Sequence, residues 1–271
     1  MGTRLIEIET LTPTIGAIVT GADLTAPMSD DLFSEIHAAW MEHLVLFFRN
    51  QPLTPEQHLA LGRRFGELHI HPAAPFAQGQ PELMVIHTDK DSLRNNGSGW
   101  HSDVSADEEP PMASILHLHH VPRQGGDTLW ANMYAAYDAL SSKMKALLDP
   151  LTALHAADYA GYYGDHEPQR ASPQAEHPVV RTHPVTKQKA LYINAGFTRR
   201  INELERRESR ALLDFLFEHA KNPAFQCRFQ WEADSVALWD NRCTQHMAIW
   251  DYYPESRSGI RVTIKGDRPF R

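Results

Sequence analysis

Apolar positions along the chain change period several times, and each change marks a candidate element. Residues 4–8 alternate apolar and polar side chains, as a half-buried strand does. From Ser29 onward, Leu32, Ile36 and Trp40 recur at helical spacing, with Ser29 as the cap residue. The run LVLFF at 44–48 is continuously apolar and too short for a buried helix, so it reads as a buried strand. Thr54-Pro55-Glu56-Gln57 supplies a cap, a first-turn proline and a capping-box glutamine for a helix reaching about Phe65. A further helix spans 207–221, with Leu212, Leu213, Phe215, Leu216 and His219 at helical spacing. Short β-like runs follow at 227–231, 236–239 and 260–264. The segment 150–190, rich in His, Pro, Gly and Tyr, predicts long loops of the kind that form functional lids.

Helices around several short strands predict a mainly β fold with helical additions (α+β). Its core is a β-sandwich or jelly roll, a double-stranded β-helix. No repeat or linker interrupts the 271 residues, so 1–271 reads as one domain.

Composition narrows the function classes. Hydrophobic residues make up 42% and charged residues 22%, as in an ordinary globular protein that buries a core without disulfides. The formal net charge of -8 argues against a nucleic-acid surface, which needs basic patches. It leaves room for a locally cationic site. Two cysteines, Cys227 and Cys243, fit a reducing compartment better than a disulfide scaffold. No run approaches the ~18 apolar residues of a membrane span, and the N-terminus lacks a signal-peptide core. The expectation is a cytoplasmic protein.

With sixteen histidines, a His-x-Asp pair arises readily by chance. It occurs twice, at His87/Asp89 and His101/Asp103, and spacing alone does not choose between them. Either pair can equally be a strand edge or turn with a local hydrogen bond. Leu116-His117-Leu118-His119-His120 is explained by strand alternation as well as by metal binding. Trp100, Trp130 and Trp239 read as core or pocket wall.

Context separates the two pairs. His101 lies in Gly99-Trp100-His101-Ser102-Asp103, followed by Gly125-Gly126-Asp127-Thr128 and, far along, Trp239-Asp240-Asn241-Arg242-Cys243-Thr244-Gln245-His246. With Leu68-His69-Ile70-His71-Pro72, the stretch around Glu176 to His183, and Tyr192-Ile193-Asn194-Ala195-Gly196-Phe197-Thr198, these motifs run nearly end to end. In them the chain resembles the taurine/2,4-dichlorophenoxyacetate (TauD/TfdA) dioxygenase family, the taurine dioxygenase branch in particular.

The resemblance implies an iron(II)- and 2-oxoglutarate-dependent dioxygenase. Its metal ligands are His101, Asp103 and His246, two imidazoles and a carboxylate that leave positions open for 2-oxoglutarate and O2. Arg257, eleven residues after His246, matches the family's co-substrate arginine, whose fork suits a carboxylate. Thr128 matches the threonine that adds a hydroxyl, and Gly125-Gly126 reads as a tight turn positioning it, with Asp127 capping that turn. His71 and Arg261 match the residues that hold a substrate's anionic head as a charge-assisted pair, and Phe197 matches a pocket aromatic.

Two departures weigh against taurine itself: Ala74 replaces a pocket tyrosine, and Gly97 replaces an asparagine that would meet the amine. The expected substrate is a bulkier anion, an alkanesulfonate or alkyl sulfate ester, yielding succinate, CO2 and sulfite or sulfate. The alternatives are an aryloxyalkanoate dioxygenase, a zinc hydrolase on the same ligands, or a β-barrel binding module without turnover. Relatives suggest a homo-oligomer with no nucleic-acid or membrane partner.

Overall fold

The computed structural model describes residues 4–71, 76–95, 97–158 and 172–271. The chain begins with β1 (Glu7–Thr10) and β2 (Ala17–Thr20), then α1 (Asp30–His43), β3 (Val45–Phe48) and α2 (Pro55–Phe65). At the start of α1, Leu32 N–H donates to the Ser29 hydroxyl. At α2, Thr54 and Gln57 satisfy one another's backbone N–H groups, the reciprocal cap expected of that sequence. Leu44 ends α1 at φ 65 rather than opening the strand, so β3 begins one residue later than the apolar run suggests.

All four β3 residues are buried because the strand lies between two cores. Val45 and Phe47 face one, Leu46 and Phe48 the other. β15 (Ser235–Asp240) divides likewise, with Ala237 and Trp239 on the first side and Val236 and Leu238 on the second. The first core fills the space between the large sheet and a small sheet of β14 (Gln226–Phe229), β8 (Thr128–Asn132) and β16 (Thr244–Ala248). There Phe47 stacks on Phe229 at 4.0 Å and meets Trp130 edge-on at 5.1 Å. The second core packs the large sheet against Ile36 and Trp40 of α1 and Leu59 of α2.

The large sheet also contains β4 (Leu68–His69), β5 (Phe76–Ala77), β6 (Gln80–Thr88), β7 (Ala113–His120) and β17 (Arg257–Ile264). Its order is β1-β2-β3-β15-β7-β17-β6-β5, with β4 added on β17. Every pairing is antiparallel except β2 with β3. Two facing sheets whose neighbouring strands are distant in sequence form a jelly-roll core.

The loops expected across 150–190 are corrected in part. Two short helices, α3 (Met133–Asp138) and α4 (Ser142–Leu148), lead into β9 (Thr152–Ala156), which pairs with β10 (Gln174–Pro178) and β13 (Thr198–Ile201). β11 (Val180–Thr182) and β12 (Lys189–Leu191) form a hairpin. These strands are stabilised by remote pairing and by partners for buried histidines, neither of which leaves a local apolar period. Residues 159–171 lie outside the described residues. Helix α5 (Arg206–Ala220) matches its expected span within a residue, as do β14, β15 and β17 within three.

Several histidines are built into the fold as neutral groups. Burial holds His58 and His71 down to about 3 and His177 to about 4, against 6.5 in the unfolded chain. Between those values the unfolded chain binds more protons than the native one. The stability these neutral rings support is therefore complete above pH 6.5 and declines as pH falls. Each group contributes up to about 1.4 kcal/mol per pH unit. Urea midpoints are expected to drop steadily from pH 7.5 through 6 to 5; a pH-independent midpoint would contradict this burial.

Candidate active site

An isolated antiparallel bridge joins the loop before β7 to β16. His101 N–H donates to the His246 carbonyl at 3.1 Å, and His246 N–H returns a bond to the His101 carbonyl at 2.8 Å. Directly opposed residues carry their side chains on one face, so the two imidazoles lie side by side with centroids 4.1 Å apart. Asp103, two residues on, joins them. His101 Nε2 and His246 Nε2 stand 3.7 and 3.9 Å from Asp103 Oδ1.

Those separations are too long for hydrogen bonds and suit atoms sharing one ion at about 2.0–2.2 Å each. His101 Nδ1 lies 2.7 Å from the Gly99 carbonyl, which places the ring proton there and leaves Nε2 with a lone pair. Burial keeps His246 neutral, and Arg261 is the main influence holding Asp103 ionised against the opposing effect of burial. Two imidazole Nε2 atoms and a carboxylate converging on one point form a donor set for a divalent metal, and two-His-one-carboxylate is the iron(II) oxygenase set.

Residues that the sequence did not single out hold the carboxylate in place. Ser114 Oγ on β7 donates to Asp103 Oδ2 at 2.6 Å. Asn241 Nδ2 donates to Ser114 Oγ at 2.9 Å, while Asn241 Oδ1 accepts from Trp239 Nε1 at 2.9 Å. The Trp-Asp-Asn-Arg string is therefore a brace for Asp103, and the asparagine within it was the available signal. Asn241→Ala is expected to weaken metal affinity roughly 10–100-fold while the protein stays folded. Metal titration reads this; unchanged affinity would mean Ser114 needs no brace.

Across the cavity, Arg257 opens β17. It is buried, not the surface arginine its polar flanks allow, and no carboxylate pairs with it among the described residues. Its Nη2 donates to Thr128 Oγ1 at 3.3 Å, and the same hydroxyl accepts from Trp231 Nε1 at 3.0 Å. Desolvation lowers its pKa to about 10, so it stays cationic at neutral pH. A buried cation beside a hydroxyl, without an ion-pair partner among the described residues, has the donors to receive a carboxylate. Gly125 and Gly126 take positive φ and curl around Asp251, which accepts from Gly126 N–H. Side chains there would strike Asp251, or Tyr252 and Arg257. Asp127 does not cap this turn; its carboxylate pairs with Arg228 at 2.6 Å.

The cavity between these groups measures about 400 Å³. His71, Arg261 and Phe197 all line it, with Met84, Ile86 and Leu116 as apolar wall. Burial, and after it the positive charge of Arg261, hold the His71 ring down to about 3. Arg261 Nη1 donates to Asp103 Oδ1 at 2.8 Å. Gly97, at φ +90, lies against His101, and an added Cβ would come within 3.3 Å of the ring. Ala74 lies outside the described residues.

Two further residues shape this wall. Asn194 Nδ2 donates to Ser105 Oγ at 2.9 Å, while its Oδ1 accepts from Phe197 N–H at 2.9 Å, tying the Phe197 loop to the Asp103 turn. Gly196 allows that loop to approach, since an added Cβ would sit 3.0 Å from His101 Cβ.

Other candidates resolve as structural. His87 is exposed and Asp89 half-buried, and the His87 ring bonds to Asp89 and to Ser258, its neighbour across the sheet. His183, Asp240 and Cys243 form a second tight cluster, but both His183 nitrogens are committed: Nε2 to Asp240, and Nδ1 to the N–H groups of Val185 and Thr186. Arg242 occupies both Asp240 oxygens. Burial drives the Cys243 thiol upward, so it behaves as a small apolar group. No helix among the described residues is long and apolar enough to cross a membrane.

The profile of the taurine catabolism dioxygenase TauD, TfdA family matches residues 7–263. A sulfonate dioxygenase of Saccharomyces cerevisiae, described as alpha-ketoglutarate-dependent, is 34% identical, covering 97% of this chain and 68% of its own. An alpha-ketoglutarate-dependent sulfate ester dioxygenase of Pseudomonas putida is also 34% identical, over 97% of this chain and 91% of its own. The crystal structure of a taurine dioxygenase from Burkholderia xenovorans superposes with a TM-score of 0.87 at 39% identity, covering 98% of this chain and 93% of that one.

Proposed function

Because this chain belongs to the taurine catabolism dioxygenase TauD, TfdA family and is an iron(II)- and 2-oxoglutarate-dependent dioxygenase, we propose that His101, Asp103 and His246 hold its iron and that its substrate is an alkyl sulfate ester or alkanesulfonate. The observation that carries the ligand assignment is the convergence of two imidazole Nε2 atoms on one Asp103 oxygen, with buried Arg257, which pairs with no carboxylate among the described residues, across the same cavity. A zinc hydrolase would have no use for that arginine.

Iron(II) with 2-oxoglutarate and O2 supplies the oxidising power, and the co-substrate leaves as succinate and CO2. The chain supplies position and dryness. Arg257 and Thr128 bind the far carboxylate of 2-oxoglutarate, which aims its keto-acid end at the three ligands. Arg261 and His71 receive the sulfate or sulfonate head. The apolar wall of Met84, Ile86, Leu116 and Phe197 takes the alkyl chain and keeps water from the oxidised carbon. Glycine at 97 brings no polar side chain of its own to the wall beside His101. A hydroxyl placed on the carbon bearing the sulfate oxygen gives an adduct that collapses to aldehyde and sulfate; the sulfonate counterpart releases sulfite.

Two buried cysteines without a disulfide support a cytoplasmic setting. Residues 1–271 act as one catalytic unit that assembles as a homo-oligomer. The substrate class is tested by incubating the iron-loaded protein with 2-oxoglutarate, O2 and, separately, octyl sulfate, hexanesulfonate, taurine and phenoxyacetate. Sulfate or sulfite release matched by succinate is expected from the first two, with little from taurine. Turnover confined to phenoxyacetate would move the substrate to carboxylates.

A further inference from the structure

We propose that Arg261 couples the two halves of the site, so that an anion held by Arg261 and a divalent metal held by His101, Asp103 and His246 strengthen one another's binding. The inference rests on the ligand assignment above. Its geometric basis is one shared atom. Asp103 Oδ1 accepts from Arg261 Nη1 at 2.8 Å and is also the oxygen that faces both Nε2 atoms, at 3.7 and 3.9 Å. The other carboxylate oxygen is committed to Ser114 Oγ. Oδ1 therefore serves two cations at once.

A dication bound there stands close to the guanidinium, in a buried site where water screens little. Arg261 has few other places to put its charge. Among the described residues, Nη2 reaches only the Met84 thioether, at 3.0 Å and a weak acceptor, and Nε is buried without a partner. Asp103 is its one ion-pair partner among the described residues. An anion seated on Arg261 supplies a second counter-charge, offsets the repulsion and frees Oδ1 for the metal. The coupling is reciprocal, so the metal raises anion affinity by the same factor. The site then holds its metal most firmly when a substrate head is present.

The test is manganese(II) binding, followed by the resonance of the free ion, with and without sodium sulfate at constant ionic strength. Sulfate is expected to tighten manganese binding to the wild-type protein about five- to tenfold. Arg261→Gln is expected to bind manganese several-fold tighter than wild type without sulfate, and to gain nothing from its addition. A sulfate effect that persists in Arg261→Gln overturns the proposal, because the anion would then act at the metal or at Arg257. So does an absent effect in wild type. His101→Ala separates the two levels: undiminished manganese binding there overturns the ligand assignment, whereas its loss alongside an absent sulfate effect overturns the coupling alone. The reciprocal measurement, sulfate affinity of wild type with and without manganese, needs no folded variant and must show the same factor.

Discussion

Replacing Asp103 with asparagine is expected to lower succinate formation by at least about a thousandfold, beyond the roughly 10–100-fold attached to outer-shell partners. The same change leaves Arg261 buried without its only ion-pair partner among the described residues. Removing one member of a buried pair costs about 3–5 kcal/mol, whereas replacing both by apolar groups is close to neutral. The double variant Asp103→Asn/Arg261→Met should therefore recover most of the lost stability in urea titration while remaining inactive. Recovery of activity together with stability would mean that Asp103 is a structural counter-ion and no ligand.

The second large effect belongs to Arg257 and separates binding from stability. Truncating one partner of a buried charge pair costs about 2–5 kcal/mol, or roughly 30- to 5,000-fold in affinity. Arg257→Met is expected to raise the KM for 2-oxoglutarate within that range. The protein itself should lose no stability, since the cation has no carboxylate partner among the described residues and its burial is already unfavourable. Equal stability with a much higher KM marks a co-substrate receptor. An unstable variant with an unchanged KM would mark a structural arginine.

Much of the fold was legible because local rules and tertiary packing agree. Ser29, Thr54 and Gln57 cap the helices their sequence announces, and LVLFF is buried on both faces because two cores flank it. The small sheet around β9 was not legible. It is held by remote partners such as His155 opposite Thr198, and no local period reports those. At the site, spacing alone gave two equal His-x-Asp pairs, and only ordered motifs across the whole chain chose His101 and Asp103. Arg257 illustrates the limit most plainly: its flanks, Ser256 and Ser258, are polar, yet the register of β17 buries it. Side-chain bonds such as Asn241 to Ser114, or Arg261 to Asp103, join residues more than a hundred positions apart and exist only once the sheets close.

Whether one cavity holds a metal on His101, Asp103 and His246 and the 2-oxoglutarate carboxylate on Arg257 is decided by a crystal structure of the protein soaked with manganese(II) and N-oxalylglycine, an inert analogue of the co-substrate. The metal is expected on His101 Nε2, an Asp103 oxygen and His246 Nε2, with the far carboxylate of the analogue on Arg257 and Thr128. Metal density at any other cluster, such as His183, Asp240 and Cys243, or an analogue whose far carboxylate avoids Arg257, would contradict it.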